Sequence, residues 1–81
     1  MVKQMVSSYV LVTVAIGKIQ DVLEEIRKMG NVEGADAVTG PYDIIARVKA
    51  DDLGELTKTI IQNIHYIDGV IDTTTAIVIE L

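Results

Sequence analysis

The run Tyr9-Val10-Leu11-Val12-Thr13-Val14-Ala15-Ile16 constrains the fold more than any other segment of this chain. It is almost wholly apolar and rich in β-branched residues, so it favours a strand, and Gly17 ends it. In a strand, successive side chains point to opposite faces. A strand apolar on both faces therefore has to be covered on both, which places it at the centre of its sheet. One face carries Tyr9, Leu11, Thr13 and Ala15, the other Val10, Val12, Val14 and Ile16. Neither set belongs in water, and the alternation does not say which of them meets the rest of the chain.

The period then changes. Between Lys18 and Met29 the apolar residues Ile19, Val22, Leu23, Ile26 and Met29 fall on one face of a helix, and Asp21, Glu24, Glu25, Arg27 and Lys28 fall on the other. Gly30-Asn31 supplies a helix stop. Val32–Val38, weakened by Gly34 and Asp36, reads as an edge strand. Thr39-Gly40-Pro41-Tyr42 reads as a turn, with proline setting φ and glycine supplying freedom. Asp43–Lys49 is a third strand, with Ile44, Ala46 and Val48 on one side and Ile45, Arg47 and Lys49 on the other.

Asp51 or Asp52 caps a second helix, and Glu55 is spaced for a capping-box contact back to Asp52. Its buried stripe is expected to be Leu53, Leu56, Ile60 and Ile64, with Ile61 beside it. Asn63–Gly69 is a connector and Val70–Leu81 a long final strand. The order β-α-β-β-α-β with right-handed crossovers predicts an α+β fold of ferredoxin-like type, a four-stranded antiparallel sheet with both helices on one face. The first and third strands are then central. The uncovered face of such a sheet calls for a second copy packed sheet on sheet.

Size and charge narrow the function. Eighty-one residues make one domain near the lower limit for unaided folding, so self-association would add stability. The chain is 49% hydrophobic without any Phe or Trp, which points to apolar surface hidden in an interface. A net charge of −5 and dispersed lysines and arginines argue against direct binding of nucleic acid. With no cysteine there is no disulfide, thiolate nucleophile or cysteine-held metal, which suits a cytoplasmic protein. Met1–Ser8 has one lysine and no apolar core, so it does not read as a signal peptide, and no apolar run is long enough for a membrane helix.

Two stretches carry chemistry. Gly40-Pro41-Tyr42-Asp43 and Gly69-Val70-Ile71-Asp72-Thr73-Thr74-Thr75 together offer an acid for an ammonium group and several donors for a carboxylate, the two ends of a small zwitterion. The first resembles the G-x-Y-D signature, and the second the G-V-x-x-T-x-T ending, of the effector domain of Lrp/AsnC transcriptional regulators, the RAM domain. The resemblance covers the chain from about Tyr9 onward, and the element order agrees with it.

The resemblance implies a domain that dimerises through its sheets, giving a dimeric α/β barrel, and assembles into a higher oligomer, here expected to be an octamer. It also implies an amino-acid effector bound between dimers. Full-length members carry an N-terminal DNA-binding helix-turn-helix. Here only a short segment precedes the first strand, so residues 1–81 read as a single stand-alone effector domain without a DNA-binding domain. Such a domain could co-assemble with full-length regulators.

Gly40, Tyr42, Asp43, Thr73, Thr74 and Thr75 are thus the candidate ligand-binding residues, with no catalytic residue, metal or cofactor expected. Asp43 would take the α-ammonium group, or else make an Asx-type turn contact at the start of its strand. Gly40 would let a backbone N–H approach the ligand, and Tyr42 would offer a ring wall or pack at a subunit contact. Thr73 and Thr75 share a face and Thr74 takes the other, and threonine also suits a strand by shape alone. His65 is the only histidine and cannot hold a metal by itself. Arg47 and Lys49 would pair with acids of a partner subunit or line an assembly surface, and Arg47 could alternatively hold a ligand carboxylate. A small dimeric barrel enzyme, of monooxygenase or isomerase type, is the competing class, but His65 and three tyrosines are thin material for one. A structural assembly partner that binds no ligand is the third reading.

Overall fold

The computed structural model describes residues 5–81, apart from the side chain of Ile61; residues 1–4 of the Met1–Ser8 segment lie outside the described residues. The element order is β1 (Val6–Val14), α1 (Ile19–Arg27), β2 (Val32–Ala37), β3 (Ile44–Ala50), α2 (Leu53–Lys58) with a π-helical continuation (Thr59–Ile64), and β4 (Val70–Ile77). The strands form one antiparallel sheet in the order β2-β3-β1-β4, so β1 and β3 are central and β2 lies at an edge, as the sequence predicts. This is the ferredoxin-like α+β arrangement.

The ambiguity over the two faces of β1 is resolved. Val10, Val12 and Val14 turn toward the helices and are buried together with Ile44, Ala46, Val48 and Ala50 of β3. Val22 and Ile26 of α1, and Leu56, Ile60 and Ile64 of the second helix, close over them. Tyr9, Leu11 and Thr13 stand on the open face. Tyr9 brings a hydroxyl that needs a partner, and it finds one there: Nη1 of Arg47, its cross-strand neighbour, donates to it. The arginine also lies 5.0 Å from the centre of the tyrosine ring.

Several boundaries differ from the sequence reading. β1 begins at Val6 because Ser7 and Ser8 pair with Lys49 and Val48, and it stops at Val14, leaving Ile16 fully exposed in the turn. Met29 falls past the end of α1 yet still packs against the core. Asp52, not Asp51, is the N-cap, its Oδ1 accepting the Glu55 N–H at 2.8 Å. Leu53, expected in the buried stripe, is 54% exposed: it follows the Asp52 N-cap directly, and Leu56 is the residue of α2 that reaches the core.

The second helix ends at Ile64, one residue beyond the expected start of the connector at Asn63. Its last turns widen to π geometry, with the His65 N–H bonded to the Ile60 carbonyl at 2.9 Å. Thr59, at the change of pitch, is buried and accepts a 2.8 Å bond from Asn31 Nδ2. β4 ends at Ile77 rather than Leu81, although the Val78 N–H still reaches the Ser7 carbonyl at 2.9 Å.

Candidate functional site

The Gly40–Asp43 turn leads into β3 at the end of the sheet where β1 finishes and β4 begins. Ile44 and Thr73 lie on either side of Val12 in neighbouring strands. Asp43 and Thr73 are therefore about two strand spacings apart, roughly 10 Å, with β1 between them. The topology brings the two motif stretches to one end of the fold, as a site that uses both would need.

Asp43 is held at three points. Its N–H donates to the Val12 carbonyl at 2.9 Å, and its carbonyl accepts from the Val38 N–H at 2.9 Å. Its Oδ2 accepts from the Val14 N–H at 2.8 Å. The last bond is neither the local Asx contact nor a vacant acceptor. It spans to β1 at the point where the β1–β4 pairing shifts register between Thr13 and Val14, and satisfies an N–H beside that irregularity. One carboxylate oxygen is thus committed to the scaffold, fixing the direction in which the other is presented.

Gly40 has φ +122°, and a Cβ built there would meet nothing within 4 Å, so backbone conformation rather than crowding calls for glycine. Tyr42 is half-buried. Thr73 and Thr75 lie opposite Val12 and Val10 on the helix side of the sheet, while Thr74 lies opposite Leu11 on the open side, which is the alternation expected. Thr73 is half-buried, Thr74 and Thr75 are exposed, and the Thr73 N–H is taken by Oδ1 of Asp72 at 2.9 Å. The three threonines therefore cannot all face one ligand within a single chain.

Sequence reasoning missed the side of this region built by the helix. Gly69, at φ +102°, has its carbonyl bonded to the Ala15 N–H at 2.8 Å, and a Cβ there would come within 2.8 Å of Lys18 Cβ. Lys18 Nζ lies 3.6 Å from Asp68. A cleft of about 360 Å³ opens between Lys18, Asp21, Glu25, Ile67 and Asp68. The i, i+4 spacing of Asp21 and Glu25 was a visible signal for it; the approach of Asp68 was not. At the opposite end of the sheet, a second cleft of about 380 Å³ is lined by Asn31, Glu33, Lys49, Asp51 and Glu55 among others.

Chemically these groups can hold small polar molecules through hydrogen bonds and charge. Among the described residues, no group of three or more His, Asp or Glu side chains is placed to hold a metal ion. His65 is exposed and packs edge-on against Tyr66, with ring centres 5.6 Å apart. No helix among the described residues is long and apolar enough to cross a membrane.

Residues 7–81 match the family model described as the Lrp/AsnC ligand binding domain. A curated relative, an uncharacterised HTH-type transcriptional regulator (PH0140) of Pyrococcus horikoshii, is 34% identical over 70 residues. That alignment takes in 86% of this chain but 44% of the regulator, so the chain spans less than half the length of its curated relative. The crystal structure of TTHA0845 from Thermus thermophilus superposes with a TM-score of 0.89 at 30% identity, covering 94% of this chain and 95% of that one. The fold recurs, with a TM-score of 0.80 at 20% identity, in a transcriptional regulator of Neisseria meningitidis, NMB0573, solved as its L-Met complex; 93% of this chain and 50% of that one are covered.

Proposed function

Because the chain belongs to the Lrp/AsnC ligand-binding domain family, we propose that it is a regulatory module that binds an amino acid at a subunit interface and changes its assembly in response. The observation that carries this reading is the convergence of the Gly40–Asp43 turn and the start of β4 on one end of the sheet. The free oxygen of Asp43 would accept the ligand's α-ammonium group. The Gly40 backbone would approach the ligand closely, and Tyr42 would wall the site. Hydroxyls of Thr73 and Thr75 would take the carboxylate, while Thr74, on the other sheet face, would serve through a neighbouring subunit.

The L-Met complex of the Neisseria relative supports an amino acid as the class of ligand. Subunits would pair through the open sheet face, where Leu11 and Ile45 stand half-buried as cross-strand neighbours, and the dimers would join into an octamer. Such a domain would act on transcription in the cytoplasm by co-assembling with full-length regulators, without catalysis.

The test is light scattering and thermal denaturation of the purified protein with each of the twenty amino acids in turn. One or a few should shift the particle mass or raise the melting temperature, since a ligand that binds only the folded assembly stabilises it. Asp43→Asn and the Thr73→Val/Thr75→Val pair should lose that response while keeping the fold. A particle of the same mass and melting temperature with all twenty would refute the sensor reading.

A further inference from the structure

Leu56, Ile60 and Ile64 line the core side of the second helix, at 1%, 5% and 0% exposure. Their spacing does not suit an unbroken α-helix. At 3.6 residues per turn, the eight steps from Leu56 to Ile64 would swing Ile64 about 80° around from Leu56, whereas seven would leave about 20°. The chain holds one residue too many between these anchors, and the wider π turn over Thr59–Ile64 absorbs it. The junction lies at Thr59, whose N–H is shared between the Glu55 and Leu56 carbonyls. Asn31 grips the same residue from outside the helix, its Nδ2 donating to Thr59 Oγ1 at 2.8 Å. Asn63, seven steps after Leu56, is exposed.

Resting on the effector reading above, we propose that the second helix is a two-register element that controls the β4 side of the candidate site. In the observed register the extra residue sits in the π turn and Ile64 fills the core. In the alternative register the helix is α throughout, Asn63 turns toward the sheet, and the extra residue passes into the connector. Exchanging a buried isoleucine for an asparagine favours the π register. The more common α geometry offsets part of that difference. The alternative is then a minor state, of the kind populated at about 0.1–10%.

The connector carries the change to the end of the sheet where the two motif stretches meet. The π turn fixes its first residue through the 2.9 Å bond from the His65 N–H to the Ile60 carbonyl. The Ile67 N–H then returns to the Ile64 carbonyl at 3.2 Å, and the Gly69 carbonyl accepts from the Ala15 N–H at 2.8 Å. Asp68 lies 3.6 Å from Lys18. One more residue in this short span slackens these contacts, and with them the start of β4, which carries Thr73 and Thr75. A ligand that needs both stretches in place binds the π register better and shifts the population toward it. Asn31 is the positioning residue. Its carbonyl accepts from the Lys49 N–H of β3 at 2.9 Å, so its side chain pins the junction at a fixed point over the sheet.

The test is amide hydrogen exchange by NMR on the ligand-free protein, which reads local opening residue by residue. Asn31→Ala should speed exchange roughly fivefold at both His65 and Ala15, the worth of one hydrogen bond, while amides at the centre of β1 and β3 keep the parental rate. Deleting Gln62 leaves seven steps between Leu56 and Ile64, so the helix can be α with Ile64 still in the core. In that background Asn31→Ala should no longer affect Ala15. An Asn31 that merely stabilises the fold would act equally in both backgrounds, and that result would overturn the two-register helix. So would an unchanged His65, or sheet-centre amides that speed up by the same factor. Ala15 at the parental rate beside a faster His65 would overturn the transmission. If Asn31→Ala misfolds, Thr59→Val removes the same bond while keeping the side chain's shape, and the same outcomes apply.

These measurements need no amino acid, so they stand apart from the sensor reading. Indifference to all twenty sinks that reading and the ligand's link to the helix, and leaves the register change to the exchange data. An amino acid that raises the melting temperature should slow exchange at His65 as well as at Ala15. Slowing at Ala15 alone would break the link between ligand and helix while sparing the sensor.

Discussion

The Asp43 carboxylate accepts a 2.8 Å hydrogen bond from the backbone N–H of Val14, a residue 29 positions earlier on the neighbouring strand. The bond ties the turn that opens β3 to the irregular end of β1, so the side chain proposed above as the ligand's ammonium acceptor is also a structural brace.

Replacing Asp43 by alanine should therefore destabilise the fold even without ligand. A part-buried N–H loses a charged acceptor, a loss of about 1–3 kcal/mol. In a domain of this size that lowers the melting temperature by about 4–8 °C for each kcal/mol. Asp43→Asn keeps an oxygen acceptor and should recover most of the loss. Equal melting temperatures for the alanine variant and the parent would show that water replaces the carboxylate at Val14.

Gly69 and Gly40 both have positive φ, but they should not respond alike to alanine. At Gly69 the new methyl would meet Lys18 Cβ at 2.8 Å and Val22 Cγ2 at 3.2 Å, so backbone strain and a clash with α1 combine. A loss above about 2 kcal/mol is expected there. At Gly40 the methyl enters open space, and only the backbone strain of about 1 kcal/mol remains. Chemical denaturation of the two variants measures the difference, and a Gly40 variant as unstable as the Gly69 one would contradict this account.

Ser8 is fully buried on the helix side of β1, and its Oγ has no hydrogen-bond partner among the described residues. Removing a buried hydroxyl without a partner recovers its desolvation penalty. Ser8→Ala should raise stability by about 1 kcal/mol in urea denaturation. A loss of that size would mean that the hydroxyl is satisfied in solution.

Leu53 and Leu56 differ by one helical turn and should differ sharply on truncation. Leu56 is 1% exposed and packs in the core, so alanine there should cost about 2–5 kcal/mol. Leu53 is 54% exposed and should lose about 0.5 kcal/mol or less. Comparable losses at the two positions would mean that Leu53 is covered in the assembled protein.

Local periodicity was enough for the element order and for the central places of β1 and β3, because β-branched alternation and helical spacing are properties of neighbouring residues. The same rule put Thr73 with Thr75, and Ile45 with Arg47 and Lys49, before any contact was known. Residue chemistry and the family resemblance, not periodicity, named the two motif stretches, though not their separation by a single strand.

What only the tertiary structure decided is how these faces meet. Both sides of β1 are apolar, and the choice between them rests on the Tyr9 hydroxyl finding Arg47 on the open side while the valines close under the helices. The exposure of Leu53, the π turn that carries Ile64 into the core, and the partner of Asp43 depend on where the second helix and β1 lie in space. No spacing along the chain encodes such contacts, since a bond between residues 29 apart is selected by the packing of the strands that carry them.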